Sequence, residues 1–226
     1  MQDIFDLDKI FDTFNYIFWF FMLNVFFLLL NIPIILFFIF IGLSKMFDYF
    51  TLFLLCLIPS APSFTAILYC MRKLIFTGDL NLFSDFKKGI KLNFISALKI
   101  WIPELIIILI LFSNIKFFTV FYKNIILVCI FSALLILVFS ITPYLYILVS
   151  RFSMNSFDIL KTSFTLTFTR PIITITNILL FIISIIIFEL SPATMSLFII
   201  SILAFSIIFF NKYLIKELEE ISKNNN

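Results

Sequence analysis

Glu104 is the residue with the most chemistry to offer. It follows Pro103 inside an apolar run from about Ile95 to Ser113, and an ionisable group in hydrocarbon costs at least about 2.5 kcal/mol on insertion scales. Proline cannot donate to the carbonyl of Lys99, so a carboxylate lies beside a freed acceptor. Such a pair can bind a cation, take up a proton or hydrogen-bond a sugar hydroxyl. An alternative places Pro103 in the first turn of its helix, with Glu104 stabilising the N-terminus near the interface; the apolar run must then continue past Asn114. A second segment of interest is Pro59-Ser-Ala-Pro-Ser-Phe-Thr-Ala66. Pro59 and Pro62 remove two backbone donors within one turn, and hydroxyls such as that of Thr65 can serve the freed carbonyls or a ligand.

Much other chemistry is excluded. The chain has no histidine, which rules out Ser-His-Asp and Cys-His machinery and imidazole metal ligands. It also lacks a Gly-x-Ser-x-Gly elbow. Cys56, Cys70 and Cys129 fall in apolar runs, where they read as small apolar fillers. The expectation is a protein without catalytic activity, metal or cofactor. Glu189 lies at the end of an apolar run beside Ser191-Pro192, within reach of water.

The elements that must position these residues are membrane spans. Of 226 residues, 63% are hydrophobic and 13% charged, with 35 Phe and 3 Gly; the mean hydropathy is +1.19. No soluble domain of this length covers its core with so little polarity. A helix crosses the ~30 Å hydrocarbon layer with about 20 residues, and six runs qualify: about 16–43, 49–74, 95–113, 124–149, 171–190 and 194–213, followed by a tail over 214–226. The predicted fold is all-α: a single polytopic membrane domain over 1–226, with six transmembrane helices and two short amphipathic cytoplasmic helices at about 82–94 and 157–168.

Charge sets the expected orientation. With six spans, only Lys45, Lys116 and Lys123 of the 16 Lys and Arg fall on one side. Lys and Arg are retained in cytoplasmic loops, so both termini are expected in the cytoplasm. Topology thereby explains the cations, and nucleic acid is not an expected partner. The acidic start, with Asp3, Asp6, Asp8 and Asp12, is unlike a cleaved signal, so the first span is expected to stay.

The two cytoplasmic segments match without gaps. Phe83, Phe86, Ile90 and Phe94 in one align with Phe157, Leu160, Phe164 and Phe168 in the other, and spacings of three, four and four put each set on one helical face. Each segment follows a proline-bearing span that ends in a cation, so the chain reads as a duplicated hairpin. Arg72, Lys73, Lys87, Lys88, Lys91, Arg151 and Lys161 are the candidate contacts, either with anionic lipid of the bilayer or with a cytoplasmic partner, as loop helices of permeases dock on their ATPases.

Pro59-Ser-Ala-Pro-Ser-Phe-Thr-Ala66, the Met71-Arg72-Lys73 exit, Ser84-Asp85-Phe86-Lys87-Lys88 leading to Asn93-Phe94, and the later Pro143 segment with its Arg151 exit together resemble the YesL-like family of bacterial membrane proteins. The resemblance runs from the first span to about the fifth. It implies a bacterial plasma-membrane protein accessory to carbohydrate transport, with permease or ATPase subunits as partners, and it carries over no site residues. The alternative from the residues themselves is a small transporter or substrate-binding membrane subunit using Glu104 and the Pro59–Ala66 break.

Overall fold

The computed structural model describes residues 7–224; Asp3 and Asp6 lie outside them. Ten α-helices carry the described chain: α1 (Leu7–Leu30), α2 (Ile32–Phe40), α3 (Phe50–Cys56), α4 (Ser60–Thr77), α5 (Leu82–Val120), α6 (Ile125–Arg151), α7 (Ser156–Thr169), α8 (Pro171–Leu190), α9 (Pro192–Met195) and α10 (Ile199–Asn224). Four are long and apolar enough to cross a membrane. The number rises to six if the bent pairs α1–α2 and α3–α4 each count as one span. This is an all-α polytopic membrane protein.

Its first two spans are broken where prolines remove donors. The run over 16–43 is not one helix, because α1 and α2 meet at 70°. Pro33 cannot donate to the carbonyl of Leu29, and Asn31 takes up the bend, its amide donating to Phe27 O at 2.8 Å and to Ser63 Oγ at 2.8 Å. Between α3 and α4 the axis turns by 42°. Ser63 lies one turn beyond that break and donates to Pro59 O at 2.9 Å, so one serine links the two breaks.

Three further expectations are corrected. The segment 82–94 is not a separate cytoplasmic helix, nor does the third span stop at Ser113, because α5 runs unbroken for 39 residues. No proline lies between Leu82 and Pro103 to end it, and Asn114 satisfies its amide on Ile110 O at 2.8 Å. The second copy is separate because Pro171 holds Arg170 out of the helical region, at φ −123° and ψ 61°. Residues 214–224 are not a tail: α10 continues through them, with Leu214 and Ile215 buried.

The second stripe turns the opposite way from a soluble amphipathic helix, and the first is split, with Phe86 buried and Ile90 half-buried against the core. Phe157, Leu160, Phe164 and Phe168 are all exposed, as are Phe83 and Phe94. Buried in their place are the aligned pairs Asp85 and Ile159, Gly89 and Ser163, Asn93 and Thr167. Gly89 is there for closeness: a Cβ at this position would come within 3.1 Å of the Ala66 Cα, the small-on-small contact that lets two helix backbones approach.

The core forms where α4 packs between α1, α5, α6 and α10, around Leu68, Met71, Tyr144 and Ile208. Polar ties fix the periphery. Asn24 of α1 donates to Ser196 O at 2.6 Å and accepts from Ile200 N at 3.1 Å, capping the start of α10. Asn211 donates to Asn177 Oδ1 at 2.8 Å, and Tyr144 meets Thr174 at 2.9 Å.

Candidate functional site

Pro103 lies well inside α5, which removes the reading that puts it in a first turn. The continuation of the helix past Asn114, which that alternative requires, is observed. The next residue, Glu104, is 5% exposed. Thr142 of α6 donates to its Oε1, while Oε2 is buried with no hydrogen-bond partner. Thr142 has one hydroxyl proton but two acceptors in reach, since Val138 O lies at 2.9 Å. A buried carboxyl oxygen without a donor is costly to maintain, so this group is poised to receive one.

The surroundings join α5, α6 and the second broken span. One turn before Glu104, the Trp101 indole donates to Leu57 O at 2.9 Å. That carbonyl, at the end of α3, also accepts from the Ser60 hydroxyl at 2.6 Å and the Ser60 amide at 3.0 Å. A side chain from the carboxylate's own helix thus bonds a carbonyl inside the break, where the chain leaves α3. Tyr146 packs 5.8 Å from Trp101 and edge-on to Phe64 at 5.7 Å, closing one side with aromatic rings. Leu54, Leu105 and Ile108 form an apolar cluster on the other.

The structure therefore ties the helix that carries Pro103 and Glu104 to the break before Ser60 through Trp101, one turn before Glu104. Pro62 is buried in the first turn of α4. Thr65 is fully buried and bonds its own helix, at 3.0 Å to Ala61 O and to Pro62 O, which leaves no proton for a ligand. Trp101, Tyr146 and the Thr142 contact were not singled out from sequence. The signal was a spacing of three from Trp101 to Glu104, and of four from Thr142 to Tyr146, each pair on one helix face.

The candidate docking cations divide. Arg72 lies 3.7 Å from Glu219, and Arg151 also pairs with Glu219. Lys73 pairs with Asp85 at 2.7 Å, and Arg170 with Glu217 is a further tie from α10. Three of the seven are thus engaged inside the molecule. Lys87, Lys88, Lys91 and Lys161 are exposed, without an ion pair among the described residues. No group of three or more His, Cys, Asp or Glu able to hold a metal occurs among those residues either, and Cys56, Cys70 and Cys129 are free thiols.

Fold and site together define a helical membrane protein with a carboxylate buried beside a broken span. Residues 20–115 match the model of a family described as a protein of unknown function, DUF624. That stretch holds both breaks, Trp101 and Glu104, and ends before Thr142. No curated protein and no solved structure matches the chain.

Proposed function

We propose that the protein is a substrate-binding membrane protein, a small transporter or a membrane subunit of one, with its binding centre at Glu104. The observation that carries this is the unpartnered Oε2 of a buried carboxylate beside the Leu57–Pro59 break. A proton, a cation or a hydroxyl-bearing solute supplies the missing donor or charge, and its arrival frees the Thr142 proton for Val138. Such a centre works by binding, without a covalent step, so the protein is read as non-enzymatic. The family match supports a YesL-like relationship, and the distribution of Lys and Arg supports a bacterial plasma-membrane location with both termini cytoplasmic.

The test is uptake in cells lacking the native gene and complemented with wild-type or Glu104→Gln protein at equal membrane abundance, across a panel of labelled sugars and cations. Accumulation of at least one solute is expected to depend on the wild-type carboxylate. Identical accumulation of every solute in the two strains overturns the reading.

A second reading, an accessory role in carbohydrate transport, is favoured by the exposed and unpaired Lys87, Lys88 and Lys91 at the start of α5. Gentle solubilisation and affinity capture are then expected to recover permease or ATPase subunits. Loss of these subunits with a triple Lys→Gln variant would place the contact, whereas capture of the protein alone contradicts it.

A further inference from the structure

A second polar cluster lies at the opposite end of α5 from Lys87. The turn before α3 and the last turns of α5 enclose an open groove of roughly 450 Å³, within the size range of small-molecule sites. Asp48 and Thr51 line it from the α3 side and Ser113 and Lys116 from α5. None of the four side chains has an ion pair or hydrogen bond among the described residues. By contrast, Thr119, further along the same helix, satisfies its hydroxyl on Ile115 O at 2.7 Å.

The walls are aromatic. Phe47 stacks on Phe112 at 5.7 Å, and Phe47, Phe117, Val120 and Phe121 of the lining are exposed, an apolar rim suited to acyl chains. Lys116 is one of only three cations on this side in the six-span partition, so its neighbour is not a general basic surface. A carboxylate and an ammonium held in one groove without pairing to each other call for a ligand that carries both charges.

The geometry points to a binding site for the headgroup of a phosphatidylethanolamine-type lipid, its primary ammonium on Asp48 and its phosphate on Lys116, with Thr51 and Ser113 donating to phosphate or glycerol oxygens. Charge complementarity selects this occupant. An anionic lipid leaves Asp48 facing like charge, and a choline headgroup has no N–H to give a carboxylate. The aromatic rings at the mouth suit the membrane–water boundary where such headgroups lie.

The full-length protein, delipidated in detergent, is titrated with phosphatidylethanolamine, phosphatidylcholine and phosphatidylglycerol of identical chains, and bound lipid is counted by native mass spectrometry. Phosphatidylethanolamine is expected to bind tightest, and Asp48→Asn and Lys116→Gln each to weaken it by about tenfold. Both positions are exposed, so the variants should keep the wild-type helix content. Asp79→Asn, exposed before the far end of α5, should leave binding unchanged. Equal binding of the three lipids, preference for phosphatidylglycerol, or phosphatidylethanolamine binding unmoved by both groove variants overturns the assignment.

Discussion

Thr142 and Glu104 show how differently one side chain can be removed. Thr142→Val takes away the single donor that Glu104 has and leaves both carboxyl oxygens buried and bare, so a loss of about 1–3 kcal/mol is expected. Replacing the pair together, as Glu104→Met with Thr142→Val, removes the need for a donor and should restore most of the stability. Thermal unfolding in detergent of the two singles and the double measures the coupling, and additive losses would show that the contact carries none. Gly89→Val is the steric counterpart. Its side chain starts 3.1 Å from the Ala66 Cα, so about 1–3 kcal/mol should be lost, read by the same assay.

The elements differed in how legible they were. Fourth and fifth spans were readable to within a few residues, because Asn124 and Pro171 punctuate long apolar runs at helix starts. The bend at Asn31 was hidden by apolar residues on both sides, although Pro33 announced it. The stripes misled for a physical reason. In a membrane protein the large apolar face can turn outward, and the i, i+4 ladder of Asp85, Gly89 and Asn93 marked the packed face that the phenylalanines obscured. The site was half legible: Glu104 and the prolines stood out locally, while the partnership with Thr142 joins residues 38 apart in sequence and needed the fold. At this scale, Pro33→Ala returns a donor to Leu29 O, and α1 and α2 should move towards a common axis. Spin labels at the exposed positions Phe18 and Ile39 should report a longer distance than in the parent. An unchanged distance would assign the bend to the Asn31–Ser63 bond alone.

Across the whole molecule, Glu219 gathers the ends of three helices, with Arg72 from α4 and Arg151 from α6 both on its carboxylate. The two arginines lie on α4 and α6, so one acid on α10 ties the two helices together. Glu219→Gln should lower stability by about 1 kcal/mol. It should also raise amide exchange over the end of α10 more than over α8, which deuterium uptake by peptide can resolve. Equal exchange in parent and variant would mean that Leu214 and Ile215 hold the helix unaided.

The fusion that makes α5 one helix has a mechanical side. Its 39 residues reach about 58 Å at 1.5 Å per residue, nearly twice the ~30 Å hydrocarbon thickness, so one helix carries both a span's length and the segment around Lys88. A push on Lys88 at one end can reach Glu104 and Lys116 through one helix, passing the hydrogen bond missing at Pro103. The sister segment has a joint at Arg170–Pro171, and a push on Lys161 is absorbed there before it reaches α8. The first segment is thus continuous with its span and the second is jointed, and the continuous one carries the carboxylate.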